Sequence, residues 1–339
     1  PDVNLRWLHL PTIAPGEKWE SGDFVLVPHT GGWYAGARAF QEFAADTYRY
    51  DAPPHIREAL GIRTVWPAIR NAPPTFTVDE LPDYAAELTD PELGLAELVV
   101  WHWWERNGLP VFLDPRLGSV DDFRRALARC RELGVPVSLF VSHHLLRDTD
   151  ETPDDWKHRN AAGQFVGDDW TYGRDFLPVF RVPFMGTHAM VRGSLLSPGL
   201  RAATIATHDE LFELGATGTC WDQFWSWYEP NYSDSSDGAP DEEGDRLLDV
   251  GRQIRTRARA HDQRGTFSGE MMTEQKVPIL DYTWDWRSGF GLEHEAPFRY
   301  VFPQVRLNAN VNEHPRGALV GFVHGGLLNV MPVQRGNLV

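Results

Sequence analysis

The sequence predicts an α/β fold, a (β/α)8 TIM barrel with an N-terminal β-rich segment and a connecting helix, on three observations. From residue 62 onward, short β-prone runs alternate with amphipathic stretches, the pattern of βα units and a parallel sheet. Eight such runs can be counted, the number that closes a barrel. The 339 residues suit one barrel of roughly 250 residues plus an appendage better than several small domains. A doubly wound sheet is the structural alternative, but no GxGxxG or Walker pattern follows any strand.

Residues 1–32 hold short apolar runs such as "FVLVP" broken by Gly and Pro, which read as the edge of a β-rich, sandwich-like region. Residues 33–61 form the connection. In "WYAGARAFQEFAADTY", Trp33, Ala37, Phe40 and Ala44 recur at helical spacing, and the prolines of "DAPPHIREA" end the helix. The barrel occupies 62–332, with a tail at 333–339. Its expected strands are "IRTVWPAI" (62–69), "ELVVWHWW" (97–104), "VPVSLFVS" (135–142), "ATGTCWD" (216–222), "GTFSGEM" (265–271), "VPILDYTW" (277–284), "RYVFPQVRL" (299–307) and "ALVGFVHG" (318–325). Two intervening helices stand out. One carries Val120, Phe123, Leu127 and Cys130 behind a Ser119 cap, and the other carries Leu247, Val250, Ile254 and Ala258. No helix pattern separates the sixth and seventh runs. The stretches 146–199 and 228–243 exceed ordinary βα loops and are expected on the C-terminal face, where barrel enzymes carry their sites.

Lys and Arg number 32 against 48 Asp and Glu, a formal charge of −16 that opposes a phosphate backbone, so nucleic acid is not an expected partner. Cys130 and Cys220 have neither CxxC nor Cys/His spacing, which gives no disulfide framework or zinc site. No run of 18 apolar residues marks a membrane span, and the opening residues lack the pattern of a secretory signal. The chain starts at Pro1 rather than Met, which leaves the compartment undetermined. No cofactor motif is present, and no GxSxG elbow occurs; "MVRGSLLSPG" lacks the required glycine spacing.

The chemistry is expected at strand ends. Asp222 ends the fourth run and Glu270 the fifth, so two carboxylates from neighbouring strands converge at the barrel rim. Glycoside hydrolysis needs such a pair, one ionised at the anomeric carbon and one delivering a proton to the leaving oxygen. Neighbouring strands lie about 4.8 Å apart, within range of the roughly 5–5.5 Å carboxyl separation of retaining enzymes. The competing reading makes Asp222 a turn residue and Glu270 the start of a helix. Trp66, Trp103, Trp104, Trp221, Trp225 and Trp284 cluster at strand ends among 14 tryptophans, which suits an aromatic cleft for sugar rings. His102, His143, His144 and His324 are expected to bind hydroxyls there, with core packing or a metal site as alternatives. Asp285, between two tryptophans, and Arg306, with Asn308, Asn310 and Asn312 beyond it, complete the expected carbohydrate site.

The run "TCWDQF", the later "FSGEMMTE", the helix "WYAGARAFQEFA" and the strand "LVVWHWW" resemble the glycoside-hydrolase-type barrels of the DUF6259 family over most of residues 33–332. That family is distantly similar to endo-α-N-acetylgalactosaminidases, dextranases and the α-amylase superfamily. The resemblance implies an α-linked glycan or glycoside as substrate, Asp222 as nucleophile and Glu270 as general acid/base. Trp221 and Cys220 depart from the aliphatic residue or tyrosine often found before that aspartate. An α-galactosidase-like assignment would instead take its acid/base from the sixth strand, at Asp281 or Asp285, and a carbohydrate-binding barrel without turnover is the rival from another class.

Overall fold

The computed structural model describes residues 11–21, 23, 25–68, 73–105, 108–143, 145–147, 152–166, 190–222, 224, 230–270, 272–284, 292–310, 319, 322, 323 and 325–330. Eight parallel strands close a barrel: β1 (Gly61–Val65), β2 (Leu95–Val100), β3 (Val137–Ser142), β6 (Gly218–Asp222), β7 (Phe267–Glu270), β8 (Tyr282–Trp284), β9 (Leu307–Asn310) and β10 (Leu327–Val330). Two further described strands, β4 (Leu145–Arg147) and β5 (Met190–Arg192), form an antiparallel pair outside it. The predicted (β/α)8 architecture is the observed one.

The named helices among the described residues are α1 (Trp33–Thr47), α2 (Pro54–Glu58), α3 (Leu81–Glu87), α4 (Val120–Glu132), α5 (Pro198–Leu214), α6 (Glu243–His261) and α7 (Leu292–Val301). Local sequence explains the clearest ones. Ser119 caps α4 by accepting from the Asp122 amide, and Asp122 accepts from the Ser119 amide in return. Phe123, Ala126, Leu127 and Cys130 then fall on one buried stripe. In α6 the stripe is Leu247, Val250, Ile254 and Ala258. No described helix is long and apolar enough to cross a membrane.

Three of the expected strands need correction. Residues 299–301 are the end of α7, and the seventh strand begins only at Leu307. The apolar residues of "RYVFPQVRL" had the density of a strand, but Phe298 and Phe302 are one helical turn apart and pack against each other, with Phe302 also against Phe40 of α1. Tyr300 accepts a hydrogen bond from Gln41, so α7 is the helix missing between the sixth and seventh runs. The eighth strand is "LLNV", Leu327–Val330, because Leu319, Phe322 and Val323 are helical and exposed. Within "VPILDYTW" only Tyr282–Trp284 is strand, while Val277, Ile279 and Leu280 fill the core from a turn. The described residues of 11–32 contain no strand, and Val25, Leu26 and Val27 are exposed.

Strand alternation sorts the barrel residues. Trp221 packs outward against Phe224 and Phe267, so its neighbours Cys220 and Asp222 face inward. Register then puts Ser138, Phe140 and Ser142 of β3 on the same inner face, opposite Gly218, Cys220 and Asp222. Deep in this interior Glu97 of β2 accepts hydrogen bonds from Thr266 (2.9 Å) and Tyr282. Burial pushes its carboxyl up to about 7, against the hydrogen bonds that pull it down. The two insertions are tied together at the other end of the barrel: Glu243 accepts from the Leu195 amide (2.6 Å) and the Ser194 hydroxyl (2.5 Å), and Asn231 donates to Ser194.

Candidate active site

Asp222 and Glu270 are the last residues of β6 and β7, with 8% and 4% of their surface exposed. The register pairs Cys220 with Ser268 and Trp221 with Gly269, so each carboxylate stands one residue past a paired position. Parallel partners point to the same face, which sets the two acids side by side at the C-terminal mouth. Glycine is required at 269 by close packing: a Cβ there would lie 2.8 Å from Cβ of Phe224. Glu270 is also level with Trp284 of β8, and Asp222 with Ser142 of β3.

Aromatic side chains continue this mouth. Trp284 lies 5.2 Å from Trp101 between ring centroids, and Trp101 stacks on Trp66 at 5.8 Å and 17°. His102 adopts a left-handed backbone, φ 50°, which turns its ring among Trp66, Trp101 and Trp104. A non-glycine residue pays conformational free energy for that geometry, and such residues concentrate at functional sites. Asn308 is level with Trp284, and Asn329 accepts a hydrogen bond from Thr64 at 2.7 Å on the inner face.

Other predicted site residues lie elsewhere. Trp103 is buried in the wall, its indole donating to the Phe140 carbonyl (2.8 Å) and its ring against Phe123 of α4. Trp104 stays beside His102 at the mouth and stacks on Phe140, whereas Trp221 faces the helix layer. His143 Nε2 sits 2.9 Å from Nε2 of His208 on α5, whose Nδ1 meets the Thr219 hydroxyl at 2.9 Å. One ring must donate and the other accept, so the accepting ring is neutral, and burial, which pushes His143 down to about 3 and lowers His208 as well, favours the neutral form of both. Arg306 precedes β9 and binds the carbonyls of Ala59 and Gly325, which precede β1 and β10, so it belongs to the N-terminal end. Asp281 precedes β8 at that same end, accepting from Arg255, Arg259 and the Phe267 amide, which removes it from the mouth where an acid/base would act. His144, Trp225, Asp285 and His324 lie outside the described residues.

Sequence reading passed over Trp101, Ser142 and Asn329. The first two follow from alternation along β2 and β3, whereas Asn329 was hidden by the misplaced eighth strand. It also passed over Lys276, a lysine buried beside the end of β7. Among the described residues no group of three His, Cys, Asp or Glu side chains is arranged to hold a metal ion.

No protein-family model matches the chain, and no curated protein matches it. Solved structures do. The α-N-acetylgalactosaminidase NagBb from Bifidobacterium bifidum, in its GalNAc complex, superposes with a TM-score of 0.68 at 10% identity, over 91% of this chain and 54% of that one. The GH36 α-galactosidase AgaA from Geobacillus stearothermophilus gives 0.57 at 12% identity, over 91% and 43%. The galactosidase domain of the α-galactosidase-sucrose kinase AgaSK gives 0.57 at 10% identity, over 90% and 42%. The chain spans about half the length of these structures or less, and at such identities the likeness establishes the shared barrel fold.

Proposed function

We propose that this barrel is a retaining glycoside hydrolase acting on an α-linked glycan or glycoside. The observation that carries the reading is the pair Asp222 and Glu270, each one residue past the register partners Trp221 and Gly269 on neighbouring strands, with Glu270 level with Trp284. Asp222 attacks the anomeric carbon, and Glu270 protonates the departing oxygen. In the second half Glu270 takes a proton from water, which displaces Asp222. Trp101 and Trp66 supply apolar faces for the sugar ring and His102 a polar group beside it, while the fully buried Trp284, Asn308 and Asn329 back the site from within the barrel. The carboxylates sit in a desolvated interior, where their charges act at low screening on an oxocarbenium-like transition state.

The substrate class rests on analogy. The DUF6259-type resemblance points to α-linkages, and the structures similar in fold are described as an α-N-acetylgalactosaminidase and α-galactosidases. Aryl α-galactosides and aryl α-N-acetylgalactosaminides are therefore the first substrates to test. Wild type should hydrolyse at least one, and Asp222→Asn should lose that activity by several orders of magnitude while keeping its circular dichroism spectrum. Full activity in a folded Asp222→Asn would remove the proposal.

A further inference from the structure

Lys276 follows Glu270 by six residues, closes the short turn 274–276 and is only 1% exposed. Its amide donates to the Thr273 carbonyl, and its own carbonyl accepts from Ile279 and Leu280, so the backbone fixes where the side chain starts. The ammonium Nζ lies 3.5 Å from the Glu270 carbonyl oxygen and 5.6 Å from the Phe224 ring centroid. Burying an ammonium carries a large desolvation cost that nearby negative or strongly polar groups must compensate. Burial pushes Lys276 down to about 7, while the charge of Glu270 pulls it back up.

The surrounding charges make this cation consequential. Cys220, on the neighbouring strand β6, feels the charges of Glu270, Asp222 and Glu97 together, so three carboxyls share the barrel interior. Like charges at close range oppose one another's ionisation, which would keep Glu270 protonated when it must act as a base. A cation at the end of β7 offsets that repulsion.

We infer that Lys276 is a positioning residue for Glu270: its ammonium holds the end of β7 through the Glu270 carbonyl and sets the proton affinity of the Glu270 carboxyl. The inference rests on the glycosidase reading for its kinetic consequence and on the contact itself for its electrostatic one. The titratable groups facing Glu270 are Lys276 from the turn and Asp222 and Cys220 from β6, with Glu97 of β2 beyond Cys220 and still protonated where Glu270 titrates.

The test is a carbon-13 NMR titration of the full chain labelled at the glutamate carboxyl carbon, with the Glu270 signal identified by its loss in Glu270→Gln. Lys276→Met should raise the Glu270 midpoint by about one pH unit, since an opposite charge at close range depresses a carboxyl by about that much or more. Lys276→Arg should keep it near the wild-type value. If Lys276→Met does not fold, Lys276→Gln replaces it with the same expectation. The alkaline limb of kcat/KM should move upward with the midpoint, whereas a purely structural lysine would lower the rate at every pH without moving the limb. An unchanged midpoint in the folded Met or Gln variant, or an Arg variant that shifts as far, would overturn the inference. Absence of glycosidase activity in wild type would instead remove the catalytic reading, and the NMR midpoint would still decide the role of Lys276.

Discussion

Trp221 and Gly269 are register partners across β6 and β7, and that single pairing puts Asp222 and Glu270 next to each other on the inner face. The large indole and the missing side chain are complementary, because Phe224 packs against Trp221 and fills the space above Gly269. Packing on the outer face of the sheet thus sets the spacing of the carboxylates on its inner face.

If Glu270 is the general acid, the harm done by Glu270→Gln depends on the leaving group. Substrates with a dinitrophenyl leaving group need no proton and should form the glycosyl-enzyme nearly as fast as in wild type, whereas alkyl glycosides should lose about a hundredfold or more. Pre-steady-state release of dinitrophenol against steady-state turnover measures this. Equal losses on both substrates would reassign the acid.

His102 provides a test that separates strain from binding. Its φ of 50° suits glycine, so His102→Gly should leave Tm unchanged or raise it while lowering kcat/KM. A drop in Tm with unaltered kinetics would make His102 a packing residue.

Glu97 predicts the pH dependence of stability. Its folded value, about 7, is raised above the ordinary 4.5, so below pH 4.5 both states hold the proton and the full contribution is present. As pH rises the unfolded chain ionises first, and the contribution is lost by the time pH passes the folded value. Urea melts should show wild type losing on the order of 3 kcal/mol relative to Glu97→Gln between pH 4.5 and 8. A pH-independent difference between the two proteins would show that Glu97 is ionised in the folded state.

How much of this was legible in the sequence varied with burial and chain continuity. Strands β1, β2, β3, β6 and β7 overlap the apolar runs read for them, although β1 and β2 end four residues earlier than expected, because strands buried on both faces read as largely hydrophobic stretches. The last third did not. Leu307–Asn310 and Leu327–Val330 are four residues each, and β9 contains two asparagines, so neither outweighed the stronger apolar runs just before it. That error carried Arg306 to the wrong end of the barrel and hid Asn329. Asp222 and Glu270 were legible because a carboxylate at the end of an apolar run is conspicuous. Their neighbour Lys276 was not, since nothing in "TEQKVPIL" distinguishes a buried lysine from an exposed one.

The most direct measurement of the central claim is proton NMR of the first-formed product anomer during hydrolysis of an α-linked substrate, run with wild type and Asp222→Asn. Net retention through attack by Asp222 requires wild type to release the α-anomer first, and the variant should release neither anomer at a measurable rate. Initial release of the β-anomer by wild type would contradict it, because a single inverting displacement leaves no nucleophilic role for Asp222.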